Sequence, residues 1–245
     1  GANPIFDGSY CNIGPCGFQE VALDPVNTYN LNYFDSVNDL VIAGAGRANI
    51  ILDRDYNSKA VLWTGGATVQ YTDDGSGNLN EEIVAGPPQY FGLAWTFPYA
   101  VSVNHLDLAP LYDGVEVHYP DGRSASFVND GGVYVSASPA NFDILTRTDD
   151  GWELLHKNTL DIDYFDVEGR LIAKADRNGN QITLFYTGEL LTRVENDSGR
   201  WLEFAYTAEG LISTISAPEG KVLRYGYTDG LLTSFTDARG HTTTY

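Results

Sequence analysis

The stretch Phe165-Asp166-Val167-Glu168-Gly169-Arg170-Leu171, continued by Asp176-Arg177-Asn178-Gly179-Asn180-Gln181-Ile182-Thr183-Leu184-Phe185-Tyr186, decides the fold, because its landmarks return along the chain. Glycines stand at Gly179, Gly199, Gly220 and Gly240, at intervals of 20, 21 and 20 residues. A tyrosine follows the first three by seven residues, at Tyr186, Tyr206 and Tyr227. An aliphatic residue precedes all four by eight, at Leu171, Leu191, Ile212 and Leu232. Three landmarks on one period define an internal repeat. After each glycine the chain alternates: Ile182, Leu184, Tyr186, then Leu202, Phe204, Tyr206, then Leu223, Tyr225, Tyr227. That is the period of a strand with one buried face. The glycines close turns at 176–179, 196–199, 217–220 and 237–240. An Asp or Asn there bonds its own turn backbone, and glycine accepts the left-handed conformation. A second strand is expected before each turn, with apolar faces of Leu190 and Val194, Leu211 and Ile215, and Leu231 and Phe235. One repeat is thus two strands and two turns, and it needs stacked neighbours to bury its face.

Composition agrees. The chain has 245 residues, 43% of them hydrophobic, with 26 Gly and 16 Tyr. This is a folded chain of strands and turns, large enough for a substantial core. The net charge of −19 repels phosphate backbones and argues against nucleic-acid binding. No run of about 18 apolar residues occurs, which excludes a membrane span. The acidity is uneven: residues 1–163 hold 22 acids and 6 bases, and residues 164–245 hold 11 and 8. It reads as a solubilising surface suited to salty or extracellular water. The acidic stretch 73–82 superficially resembles a calcium loop. With Gly77 at the sixth position, Thr72 and Ile83 fall where acids are required, so a polar hairpin tip is the better assignment. Cys11 and Cys16 flank a turn-prone insert and read as a local disulfide formed in an oxidising compartment. The alternative, half of a metal site, lacks a second Cys or His pair nearby.

The repeat resembles the YD-repeat, or Rhs-repeat, family, whose unit reads Tyr-Asp-x-x-Gly-Arg-Leu followed by a turn glycine and a strand ending in Tyr. Residues 165–171 match with Phe for Tyr. Later copies, at Tyr206-Thr207 and Tyr227-Thr228, lack the Asp and the Arg. Upstream, 39–44 and 52–58 resemble the opening strands of the N-terminal segment that precedes such repeats. Phe91-Gly92-Leu93-Ala94-Trp95-Thr96 is similar to its Gly-x-Gly-Trp segment, Tyr119-Pro120-Asp121-Gly122-Arg123 through Phe127 resembles a divergent single repeat, and Asp150-Gly151-Trp152 resembles the lead-in to the first full one. The resemblance implies a continuous β-sheet spiral winding into a hollow shell, closed at one end by the N-terminal segment. In bacteria such a shell commonly encloses a C-terminal toxin; in animals a similar shell serves cell adhesion.

The expected fold is therefore all-β: antiparallel strands in a repeat-built spiral sheet, part of a shell, with little helix. Residues 1–21 form a segment with the Cys11–Cys16 pair, 22–160 an N-terminal β region, and 161–245 the repeats. The chain stops five residues past Gly240 and two short of the next landmark tyrosine, so the natural protein is expected to continue, and the last strand edge is expected to favour self-association. No cofactor or metal is expected. His105, His118, His156 and His241 show no metal spacing, and neither a nucleophile elbow nor a phosphate loop occurs. The expectation is a secreted or surface scaffold without enzymatic activity, whose partners are the rest of its own repeat chain and a C-terminal cargo. The alternative is an adhesion or carbohydrate-binding module in which Trp63, Trp95, Trp152 and Trp201 stack on glycans. Against that, Tyr and Trp commonly fill cores, and the repeat tyrosines share a face with Ile182, Leu202 and Leu223.

Overall fold

The computed structural model describes the backbone of residues 10–11, 14–15, 26–27, 32–58, 67–73, 79–85, 90–108, 112–120 and 123–245. The Cys11–Cys16 pairing and Trp63 lie outside the described residues, although the flanking strands β1 (Tyr10–Cys11) and β2 (Gly14–Pro15) pair antiparallel. Strands β3 (Val26–Asn27), β4 (Asn32–Ile42) and β5 (Ile50–Asn57), with a later strand β8 (Trp95–Thr96), make a four-stranded sheet in that order. Between β5 and β8, β6 (Ala67–Asp73) and β7 (Leu79–Ala85) pair antiparallel on either side of 74–78, as a hairpin requires.

The rest of the chain is one antiparallel sheet of 15 strands in strict sequence order. It begins with β9 (Ser102–Leu108), β10 (Tyr112–His118), β11 (Ser124–Asp130), β12 (Val133–Ser136), β13 (Ile144–Thr148) and β14 (Gly151–His156). It continues through β15 (Asp161–Phe165), β16 (Leu171–Ala175), β17 (Gln181–Thr187), β18 (Leu190–Asn196) and β19 (Trp201–Tyr206). It ends with β20 (Ile212–Ala217), β21 (Lys221–Thr228), β22 (Leu231–Thr236) and β23 (Thr242–Thr244). Helix among the described residues is a single 3-10 turn at Pro218–Gly220. The sheet is not flat. Val103, at the start of β9, donates its N–H to the Gly169 carbonyl (2.9 Å), and Ser102 bridges Arg170 in the β15–β16 turn. Those strands are six and seven spacings from β9, about 30 Å apart in a flat sheet. Only curling brings them into contact. The sheet curls without closing into a barrel.

One face of the repeat strands is buried as far as β22, and the last strand, β23, is exposed at every position. Ile182, Leu184, Leu202, Phe204, Leu223 and Tyr225 are all buried, as the alternation predicts. The second strand of each unit departs from its predicted face. Leu191 and Val194, Ile212 and Ile215, and Leu232 and Phe235 are buried, whereas Leu190 and Leu211 are half-buried and Leu231 is exposed. The cause is a β-bulge in every unit. Tyr186 pairs Leu191 but Phe185 pairs Arg193, so Thr192 is an extra residue, and Ser213 and Thr233 recur in the same place. The bulge puts two residues against one and breaks the period-two count. Each extra hydroxyl donates across the strand pair: Thr192 to the Phe185 carbonyl (3.0 Å), Ser213 to Ala205 (3.0 Å), Thr233 to Gly226 (3.1 Å).

The landmark tyrosines close the unit. Tyr186 donates its hydroxyl to the Leu171 carbonyl (2.8 Å), Tyr206 to Leu191 (2.5 Å) and Tyr227 to Ile212 (2.8 Å), each spanning 15 residues. The two sequence landmarks are thus donor and acceptor of one recurring bond. Phe165 takes the same position beside a bulge in the first unit, without a hydroxyl. The turns repeat as well. Asp176 Oδ1 accepts the N–H of Asn178 (2.8 Å) and Asn180 (3.0 Å), Asn196 Oδ1 those of Ser198 and Arg200 (both 3.1 Å), and Asp237 Oδ1 those of Arg239 (2.8 Å) and His241 (2.9 Å). Ala217 has no such side chain, and its turn is the 3-10 exception. Tyr119 N–H bonds the Arg123 carbonyl (2.9 Å) as Asp166 N–H bonds that of Arg170 (3.0 Å), so the divergent 119–127 segment shares this turn closure.

Candidate functional site

The N-terminal sheet lies against the buried face of the repeats. Ile50, Leu52, Phe91 and Phe97 join Leu171, Leu191, Val194 and Ile215 in one core. Phe91 meets Tyr225 edge to face at 4.9 Å, and Phe97 meets Phe204 at 6.2 Å. Backbone bonds fasten the edges. The Tyr90 carbonyl accepts from Ile212 N–H (2.7 Å), and the Gly230 carbonyl accepts from Leu93 N–H (3.3 Å). At the opposite edge the turn caps work twice. Asp176 turns its second oxygen to the Arg47 N–H (3.0 Å), and Asn196 gives its side-chain amide to the carbonyls of Ala48 (3.2 Å) and Ala43 (3.4 Å). Bonds from Asn180 and from the Arg47 backbone hold the Asp176 carboxyl well below its ordinary value.

At the centre of this contact Arg54 is completely buried. Its guanidinium pairs with Asp39 through Nε and through Nη2 (3.0 Å), and Nη2 also bonds the Tyr245 hydroxyl (3.0 Å). Tyr225 donates to the same Asp39 (2.9 Å). The rings of Phe235, Trp95, Tyr225 and Tyr245 surround the cation at 4.6, 5.0, 5.4 and 5.7 Å. Burial pushes the Asp39 carboxyl up against the pull of Arg54, and desolvation of Arg54 is outweighed by Asp39, which keeps the guanidinium charged.

A cleft of about 300 Å³ opens where the N-terminal sheet, the β10–β11 turn and the large sheet converge. Its charged walls are Asp55, Arg123, His156, Asp163 and Lys174, and Pro98, Val101, Tyr119 and Pro120 supply the apolar part. His156 sits between two carboxylates, Asp143 at Nδ1 (3.1 Å) and Asp163 at Nε2 (3.2 Å), and Lys174 completes Asp163 (2.7 Å). Desolvation alone would lower the His156 value; its hydrogen bonds to Asp143 and Asp163 outweigh that and push it up to about 9. Asp163 is buried, yet His156 and Lys174 hold it below its ordinary value. The imidazole is therefore a cation at neutral pH, and both of its nitrogens are occupied.

A second polar cluster lies on the same sheet face near β9. His105 Nε2 meets Asp113 (2.9 Å), Tyr134 donates to that carboxylate (2.8 Å), and Arg147 reaches His105 Nδ1 (3.3 Å). Trp152 packs 5.0 Å from His105. Trp152 and Trp95 are buried and present no stacking face to solvent, and Trp201 is half-buried with Arg193 over its ring (5.0 Å). No local period marks either group: the Arg54–Asp39 pair draws on Tyr225 and Tyr245 from the far end of the chain, and the His156 cluster forms between residues 7 to 13 apart on neighbouring strands and their turns. Among the described residues no group of three or more His, Cys, Asp and Glu is arranged to hold a metal ion, and no helix is long and apolar enough to cross a membrane. No protein-family model matches the chain, and no curated protein matches it.

Proposed function

We propose that this chain is a non-enzymatic scaffold: the opening wall of a secreted or surface-exposed YD-repeat shell that encloses or presents a C-terminal, toxin-like cargo. The observation that carries the reading is the curled, strictly sequential sheet, whose single buried face is lined by its own N-terminal segment. Bonds that recur within each unit, Tyr to carbonyl and Ser or Thr to carbonyl, suit a wall that grows by stacking. The cargo, the rest of the repeat chain and the extracellular location belong to the same proposal.

The test is made on the native polypeptide that carries this sequence. Its intact mass is measured, and its protease sensitivity is followed before and after denaturation. The reading expects a mass several times 26.8 kDa, with a downstream portion that resists protease until the wall is unfolded. A mature polypeptide of 26.8 kDa, or a downstream portion cleaved freely while the repeats stay folded, overturns it.

A further inference from the structure

The apolar landmarks of successive units are nearly interchangeable. Leu171, Leu191, Ile212 and Leu232 recur at one position, and Ile182, Leu202 and Leu223 at another. Their burial against Ile50, Leu52, Phe91 and Phe97 is non-directional, so it does not by itself choose which units the N-terminal sheet covers. A slip by one unit, two strand spacings or about 10 Å, would set like against like. One position differs. Five residues past the turn glycines stand Leu184, Phe204, Tyr225 and Tyr245, and the first three pair across the sheet with Val194, Ile215 and Phe235. Rings and hydroxyls accumulate along the units.

The N-terminal sheet carries the complementary series. β5 buries Ile50, Leu52 and Arg54 on one side. It begins beside the second turn, where Asn196 bonds Ala48, and Arg54 lies among Tyr225, Phe235 and Tyr245. Asn38 pairs Asp53 and Leu40 pairs Leu52, so Asp39 is the extra residue of a bulge that aims its carboxylate at Arg54. Moved one unit back, Arg54 would lie among Phe204, Ile215 and Tyr225. Asp39 would lose the hydroxyl that Tyr225 donates, because Phe204 has none. Asp176 would replace Asn196 and set a carboxylate against the Ala43 and Ala48 carbonyls. Moved one unit forward, Ala217 would replace Asn196 and donate nothing. Replacing a buried ion pair by apolar residues is often neutral or stabilising, whereas a buried charge short of partners is strongly destabilising. Even in place, Arg54 Nη1 finds no hydrogen-bond acceptor among the described residues. The pair is thus a weak source of stability and a strong penalty on misplacement.

We propose that the Asp39–Arg54 pair is a register lock: it selects the units on which the N-terminal sheet docks, while apolar packing supplies the stability. This goes beyond the scaffold reading and holds whatever the wall encloses.

Nuclear magnetic resonance of the full chain tests it on a double variant, Asp39→Leu with Arg54→Met, which removes both charges together. Wild type should give one set of amide signals and a nuclear Overhauser contact between Gly92 and Gly230, whose backbones touch. The double variant is expected to stay folded and to show a second set of signals at 43–54 and 90–97, populated to about 10% or more, with a new contact between Gly92 and Gly210, the equivalent of Gly230 one unit back. Leu52→Val, which trims the same buried face and leaves the charges in place, keeps one set. A folded double variant without the Gly92–Gly210 contact overturns the proposal. So does a double variant that no longer folds, because the pair would then supply stability itself. A second set of signals in Leu52→Val overturns it as well, because packing would then set the register.

Discussion

Gly169 and Gly179 occupy the same position in successive turns, with the same φ of +82°. In both turns the glycine N–H returns to the Asp carbonyl three residues back, at 3.0 and 2.9 Å. Alanine in that left-handed conformation costs about 1–2 kcal/mol at either position. The surroundings differ. A Cβ on Gly179 meets nothing within 4 Å, whereas a Cβ on Gly169 would stand 1.8 Å from the Val103 carbonyl oxygen. Gly169→Ala must therefore push the start of β9 off the turn. It loses the Val103–Gly169 hydrogen bond and the Ser102–Arg170 bridge, at about 1 kcal/mol each, and partly uncovers the buried Val101 and Val103. The expected loss is about 1–2 kcal/mol for Gly179→Ala and about 3–5 kcal/mol for Gly169→Ala. Urea unfolding followed by tryptophan fluorescence measures both, with an unchanged slope confirming that the same transition is compared. Only Gly169→Ala should also speed hydrogen exchange at the Val103 amide. Equal losses in the two variants, within about 0.5 kcal/mol, would refute the contact that makes the sheet curl.

Tyr206→Phe removes a half-buried donor from the Leu191 carbonyl and should cost about 1 kcal/mol by the same unfolding assay, whereas Phe165→Val, at a position without the hydroxyl, loses only packing. Asp39→Asn leaves the Arg54 cation buried without its counter-charge and should destabilise by about 3–5 kcal/mol; replacing Arg54 by Met in the same chain should recover part of that loss. His156 titrates near 9 in the folded chain against 6.5 unfolded, so its stabilisation is complete below pH 6.5 and disappears as pH rises through about 9. The gap amounts to about 3 kcal/mol, measured as a fall in the urea midpoint across that window, and His156→Gln should flatten it.

The repeat was legible because its signals are local. Gly179, Gly199 and Gly240 sit in turns capped by Asp or Asn, as the residue types require, and the strands after Gly179 and Gly199 bury alternate residues. The strand before each glycine was misread because Thr192, Ser213 and Thr233 resemble ordinary strand residues, and nothing in their identity announces an unpaired position. The tyrosine period was visible while the bond behind it was not: the hydroxyl reaches a backbone carbonyl 15 residues back, and a carbonyl carries no mark in the sequence. The second oxygen of Asp176 was hidden for a different reason. Its partner, Arg47, is 129 residues away, and only the curled sheet brings the two together. Arg54 read as one of few bases in an acidic segment, and its cage draws on β8, β21, β22 and the last residue.

The bonds that recur along the wall have a consequence for how such a chain changes length. Each tyrosine and each bulge hydroxyl finds its partner on the adjoining strand, and each capped turn finds its own within the turn. Copying or deleting about 20 residues therefore leaves every surviving unit chemically whole, with its turns on the same edge. A change of about ten residues does not. It removes one strand, reverses the direction of all that follow, and carries the capped turns to the edge where 90–93 now lies. A change of an even number of strands thus preserves the bonds inside the sheet, whereas the bonds that Asp176, Asn196 and Tyr225 make to the N-terminal segment must be remade by whichever repeat takes their place.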